Sequence, residues 1–224
     1  MRIIERLAKV EGRIARAAER TGRKPSEIRI LFATKYATAA QIAELARLRP
    51  SLLIGENRVQ DAEEKFDELA GIIPLASFSR IEKHMIGTLQ SNKAKRAVEL
   101  FSCIQSVDSL PLAEKISRHA KQAGKEIEIF VEVNNGEEKK RGIRQSELSA
   151  LAASIQNLPN VKLVGLMGMG IEGDESATRA FFRYLRKQAT QHKLLCSMGM
   201  SNDFEIAVEE GADMVRIGSA VFKE

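Results

Sequence analysis

Short β-rich apolar runs alternate with segments of helical spacing along all of this 224-residue chain, and that alternation restricts its fold more than any other feature. Strand-like runs fall at 28–34, 51–54, 84–87, 101–107, 127–133, 161–167, 194–197 and 214–217. Between them, apolar residues recur at helical intervals over 39–48, 58–69, 94–98, 110–123, 148–155, 175–191 and 204–210. Such alternation implies a parallel sheet. Eight units in a chain this long predict a closed (β/α)8 TIM barrel rather than an open doubly wound sheet. Ile3, Leu7, Val10, Ile14 and Ala17 form one stripe, adding an N-terminal amphipathic helix that ends near Thr21 and Gly22. No Pro/Gly/Ser-rich linker interrupts the pattern, so residues 1–224 read as a single α/β domain.

A barrel gathers its functional groups at the carboxyl ends of the strands and often holds phosphate after the seventh and eighth. The first run ends on Lys35, and alternation groups Lys35 with Leu31 and Ala33, opposite Ile30, Phe32 and Thr34. The plain alternative is a lysine that opens a solvated loop. The second run leads into GENRVQ (55–60) and the third into HMIGTLQSNK (84–93), both rich in hydrogen-bonding amides, as turns and caps also are. The seventh leads into SMGMSND (197–203), and the eighth reads MVRIGSA (214–220). There Gly218 lets backbone approach an anion, while Ser201 and Ser219 offer hydroxyls; helix capping is the simpler explanation of each serine alone. Val215 and Ile217 face the outer helices, which turns Arg216 toward the barrel axis. A cation there needs a partner, and a structural ion pair would serve equally. A lysine, a phosphate cradle and an inward arginine suit a phosphorylated carbonyl compound, because lysine condenses with aldehydes. The residues alone leave pyridoxal phosphate binding and a Schiff-base aldolase both open.

Composition removes other classes. The net charge of +5 is spread among interspersed signs, and with no Trp and two Tyr there is no base-stacking platform, so no nucleic-acid partner is expected. Cys103 and Cys196 lack metal-ligand or disulfide spacing, so no metal is expected. Residues 1–20 hold Glu5, Glu11 and Glu19 and no apolar core, unlike a signal peptide, and no run reaches membrane-spanning length. A cytoplasmic protein is expected.

Taken in order, the strand ending Ala33-Thr34-Lys35, then GENRVQ, HMIGTLQSNK, KRGI, GLM, GMSND and MVRIGSAVF, resembles the pyridoxal phosphate homeostasis proteins over nearly the whole chain. That family has the alanine-racemase-type barrel. The resemblance implies that Lys35 carries pyridoxal 5′-phosphate as a Schiff base and that Ser201, Gly218 and Ser219 hold its phosphate. It also implies that Arg216 faces the pyridine nitrogen, that Asn57 lies near the cofactor, and that His84 and Met200 line the same mouth. The implied partners are the cofactor itself, apo-enzymes that use it and free amino acids, with a monomer expected rather than a dimer. The family commonly has an aromatic residue where Arg58 stands and a tryptophan where Lys83 stands. The 168–174 loop looks shortened, and relatives usually continue past Glu224. These departures read as changes at the rim and the terminus.

Racemisation on such a barrel needs a second base, which the racemases it resembles draw from a partner's β-domain, and this chain has no residues left for one. Tyr36 should point away from Lys35, and Tyr184 falls mid-helix. An arginine at the pyridine nitrogen also disfavours protonation there and weakens the electron sink. A carrier acting in intracellular cofactor homeostasis, with no catalytic residues, is therefore expected over a racemase-like enzyme of low activity. Residues 168–173 formally match GxGxxG, but Glu172 would sit beside a pyrophosphate and no acidic partner follows about twenty residues on. His119 and His192 read as solvated, and 137–141 as a polar loop or a flap over the mouth.

Overall fold

A computed structural model describes residues 2–49, 51–137 and 140–223. Eight parallel strands close into a barrel in chain order, and the eighth pairs back onto the first through Arg29↔Met214 to Phe32↔Ile217. The strands are β1 (Arg29–Ala33), β2 (Leu53–Glu56), β3 (Glu82–Met85), β4 (Cys103–Val107), β5 (Ile127–Glu132), β6 (Val161–Met167), β7 (Leu195–Ser197) and β8 (Met214–Ile217). Around them run α1 (Ile3–Glu19), α2 (Ala39–Leu48), α3 (Val59–Ile72), α4 (Leu75–Phe78), α5 (Ala94–Leu100), α6 (Leu110–Gln122), α7 (Leu148–Gln156), α8 (Glu175–Gln191), α9 (Phe204–Glu209) and α10 (Ser219–Phe222).

Strand alternation divides the apolar residues into two cores. Leu31, Leu53, Cys103, Phe130, Met167 and Met214 fill the barrel interior. Phe32, Ile54, Ile104, Ile129, Val215 and Ile217 point outward into the layer beneath the helices. Each large side chain so buried contributes about 1.5–3 kcal/mol. The α1 stripe packs on α9, α10 and α2, and Arg6 donates to the Lys223 carbonyl at 2.6 Å, tying α1 to the barrel's end.

The barrel and its leading helix agree with the sequence pattern; three details differ. The third strand lies two residues earlier than expected, at 82–85 and not 84–87, because Glu82 and Lys83 already pair with Leu53 and Ile54 of β2. The second strand lies two residues later than expected, and Gly55 sits inside it rather than ending it, because the β1 ladder continues through Ala33↔Gly55. The short helices α4 and α10 carry no periodic signal and were not anticipated.

Candidate functional site

The mouth begins where β1 ends. Thr34 to Ala37 form a turn closed by Ala37 N–H donating to the Thr34 carbonyl at 2.9 Å. Lys35 therefore leaves the strand alternation and is exposed at the barrel's edge. Its Nζ lies 4.8 Å from the centroid of Tyr36, and Lys223 Nζ lies 4.9 Å from the same ring. Tyr36 thus does not point away from Lys35 as expected, because the two share a turn and not a strand. The turn is anchored from behind. The Thr34 hydroxyl donates to Glu56 Oε1 at 2.6 Å, and Lys65 Nζ bridges Glu56 Oε1 at 2.7 Å and the Thr34 carbonyl at 2.6 Å. Glu56 is 1% exposed. Asn57, the next residue, is half-buried at the end of β2.

Beside β1, on the paired strand β8, lies the arginine. Arg216 is buried and points inward, as its neighbours implied, but among the described residues it has no ion pair. It donates to the Ser197 carbonyl at 2.8 Å, to Ser197 Oγ at 2.9 Å and to the Gly168 carbonyl at 2.8 Å. These three bonds leave two of its five N–H donors without a described acceptor. Ser197 Oγ donates onward to Gln105 Oε1 at 2.8 Å, and Gln105 Nε2 lies 2.8 Å from His84 Nδ1. Burial, with Arg29 nearby, holds the His84 imidazole down at about 3. His84 is then neutral at ordinary pH and accepts from Gln105, so every donor in this seam runs from Arg216 toward His84. His84, 2% exposed, sits a step below the mouth and connects to it through Gln105 and Ser197.

After β7 and β8 the chain makes a cradle. The backbone N–H groups of Gly218 and Ala220 converge on Ser201 Oγ at 3.4 and 3.3 Å. Such long bonds leave the donors only weakly satisfied. A Cβ at Gly218 would lie 2.9 Å from the Ala33 carbonyl oxygen, so no side chain fits where β8 passes β1. Gly199, at φ +87°, turns the chain ahead of Met200 and Ser201. Met200 is 40% exposed, and its N–H donates to Asp203 Oδ1 at 2.5 Å. Ser219 is exposed at the first position of α10. Burial raises the Asp203 carboxyl above its ordinary range.

The sequence reading missed Gln105, Ser197, Glu56, Lys65 and Glu132. Glu132 ends β5, is 5% exposed, and is pushed up to about 7 by burial and by Asp108. A signal existed for Gln105: it is a lone amide in the apolar strand CIQSV, as Arg216 is a lone cation in MVRI. Lys83 needs correcting. It does not lie at the rim but on the outer face of β3, with Nζ 4.0 Å from the Phe78 ring. Arg58 is exposed, 3.9 Å from Asp61. His192 is not simply solvated, since its Nε2 is buried without a described partner; His119 bonds Gln122 at 3.0 Å. In the GxGxxG stretch the Gly168 carbonyl is taken by Arg216, and Ile171 is bonded both ways to Thr178 Oγ1. Within the 137–141 loop, Glu138 and Lys139 lie outside the described residues. A groove of about 600 Å³ lined by Leu7, Leu48 and Arg49 lies at the α2–β2 connection, away from the mouth. Among the described residues no three His, Cys, Asp or Glu side chains form a metal-binding group, and no helix is long and apolar enough to cross a membrane.

Residues 29–224 match the family model of the alanine racemase N-terminal domain. The chain is 38% identical to a pyridoxal phosphate homeostasis protein of Pseudomonas aeruginosa, covering 98% of this chain and 94% of that one. A crystal structure of an unknown protein from Bifidobacterium adolescentis is similar at TM-score 0.91 and 36% identity, covering 98% and 94% of the two chains. PipY of Synechococcus elongatus, with PLP bound, is similar at TM-score 0.83 and 33% identity, covering 99% and 100%.

Proposed function

The chain belongs to the pyridoxal phosphate homeostasis proteins, built on the alanine racemase N-terminal-type barrel, and from that membership we propose that it binds pyridoxal 5′-phosphate reversibly through a Schiff base to Lys35. In this reading Ser201, Gly218 and Ser219 hold the phosphate, Arg216 meets the pyridine nitrogen, and Asn57 and Met200 flank the ring. His84 acts from below, as the acceptor that ends the Arg216 seam. When bound, the cofactor supplies an aldehyde that condenses with amines. The observation that carries the reading is the convergence of the Gly218 and Ala220 N–H groups on a single oxygen, Ser201 Oγ. That is the donor arrangement a phosphate oxygen would use.

The protein acts as a carrier that regulates cofactor supply in the cytoplasm, with no efficient reaction of its own; apo-enzymes and free amino acids are the receivers. Supporting this, Arg216 holds a fixed positive charge, which opposes protonation of the facing nitrogen. Tyr184, one residue a racemase reading would need as a base, donates to the Gln145 carbonyl at 3.3 Å instead. Addition of pyridoxal 5′-phosphate should give a yellow adduct that borohydride fixes on Lys35, located by peptide mapping. A Lys35→Ala variant that forms the adduct as readily as the parent would end the proposal. Exchange of an amino acid's α-proton for deuterium, dependent on the protein, would favour the racemase instead.

A further inference from the structure

A second concavity lies at the other end of the barrel, where the strands begin. It opens beside the groove at the α2–β2 connection, shares Arg49 with it, and encloses about 250 Å³. Its floor is apolar, with Leu52 just ahead of β2 and Ile81 just ahead of β3, both buried. Its walls are basic. Arg47 and Arg49 come from the end of α2 and Arg80 from the α4–β3 connection, and the half-buried Ser77 of α4 adds a hydroxyl. The carboxyl end of a helix favours cations, which accounts for the two arginines on α2 but not for Arg80. Arg49 lies 5.7 Å from the Phe32 ring centroid and pairs with Glu11. Glu82, the residue after Ile81, is taken by Arg29 at 2.6 Å. Among the described residues no carboxylate pairs with Arg47 or Arg80. Three guanidinium groups against the one carboxylate of Glu11 therefore leave two positive charges unmet. A cleft lined by one sign of charge over a low-dielectric floor focuses its field on whatever enters.

We propose that this cleft is a second anion site, which takes a phosphate dianion, free or as a small monoester. Such a group carries about −1.5 to −2 near pH 7, which meets the charge the cleft leaves over. Arginine forks bind phosphate oxygens through paired N–H donors, and here they come from two separate elements. At about 250 Å³ the cleft is smaller than the roughly 300–1,000 Å³ of sites for larger ligands, which favours phosphate or a small monoester over a nucleotide. No residue assigned to the mouth takes part, so the site stands whether or not Lys35 binds the cofactor.

Amide and arginine side-chain NMR spectra of the nitrogen-labelled full chain, titrated with inorganic phosphate and with glycerol 3-phosphate, test the site. Signals of Leu52, Ser77 and Arg80 should move to saturation, and sodium chloride at matched ionic strength should leave them in place. Replacing both arginines, Arg47→Gln with Arg80→Gln, should weaken the binding read at those signals by about tenfold or more, the scale of lost hydrogen bonds to a charged group. The same double variant should form the yellow adduct with pyridoxal 5′-phosphate as the parent does. Equal affinity for the two ligands identifies the phosphoryl group alone as what is recognised, and tighter glycerol 3-phosphate identifies a monoester. Chloride moving the signals as far as phosphate does, or a double variant that binds as the parent does, overturns the inference. Should the double variant fail to fold, the comparison of phosphate with chloride in the parent decides alone. Shifts confined to Gly218 and Ala220 at the mouth overturn this site and leave the carrier reading standing; shifts at Ser77 and Arg80 with no adduct on Lys35 do the reverse.

Discussion

Glu56 and Glu132 each end a strand of the same barrel and each is buried, but they sit on opposite sides of its wall. Glu56 ends β2 and has two donors on one oxygen, the Thr34 hydroxyl and the Lys65 ammonium, while its Oε2 is buried without a described partner. Glu132 ends β5, faces inward, and has none among the described residues. A buried carboxylate that a cation meets serves the scaffold; one that no described cation meets costs stability whenever it ionises. Here the matched group also fixes the turn bearing Lys35, so the wall behind β1 sets the site even though no wall residue enters it.

The largest expected effect comes from breaking the matched pair. Lys65→Met leaves Glu56 buried without its cation, and such losses run to about 3–5 kcal/mol. Urea unfolding should register that drop, and adding Glu56→Gln should recover most of it. If Lys65→Met unfolds at the parent's midpoint, the wall is not structural and the contrast with Glu132 disappears.

The two interior ionisable groups give pH dependences of opposite sign. Burial keeps His84 neutral down to about 3, against an ordinary 6.5, so between those values the unfolded chain holds the extra proton. Stability then falls on acidification by about 1.4 kcal/mol per pH unit, and His84→Gln should flatten that limb. For Glu132 the folded value is raised, from 4.5 to about 7. In that window the folded state holds the extra proton, so stability declines as pH rises and is lowest above 7. Glu132→Gln should exceed the parent by on the order of 3 kcal/mol at pH 8 and match it near pH 4.5. Because the His84 slope opposes that of Glu132 up to pH 6.5, the difference between Glu132→Gln and the parent is the readout; an advantage that does not grow from pH 5 to 8 would mean that the protein matches this carboxyl too, and would narrow the difference from Glu56.

How far the sequence disclosed this can be argued residue by residue. The barrel was legible because alternation of period and length is a property of consecutive residues. Arg216 was legible because its apolar neighbours fixed its direction. Glu132 and Glu56 were not, because whether a strand-end carboxyl is matched depends on residues far away in sequence: Lys65 lies on the next helix, and Arg216 eighty-four positions on is already bonded elsewhere. Register was equally hidden. Nothing in Ser51 to Ile54 reveals that the ladder with β1 carries on to Gly55 and the ladder with β3 to Glu56. Lys83 was misplaced for a simpler reason: its departure from the family's usual tryptophan read as a change at the rim, whereas alternation sends Lys83 to the outer face of β3, away from His84.

Lys83 supplies the smallest effect and a third case between the other two. Its ammonium lies over the Phe78 ring and donates to the Phe78 and Ile81 carbonyls, both at 3.3 Å, so among the described residues it is partly matched by neutral groups and by no carboxylate. Burial lowers its affinity for the proton, which means the unfolded chain binds that proton more tightly. Stability from this position therefore rises as pH climbs toward the ordinary lysine value of 10.5. Lys83→Met keeps the length and removes the charge, so it should stabilise by less than about 1 kcal/mol at pH 7 and by nothing near pH 10. Thermal melts at the two pH values separate this from a packing change, which would be the same at both. A clear loss at pH 7 would mean that neutral carbonyls and a ring match a buried ammonium as well as a carboxylate does. The division between matched and unmatched charges would then have to be drawn by solvent access instead of by ion pairing.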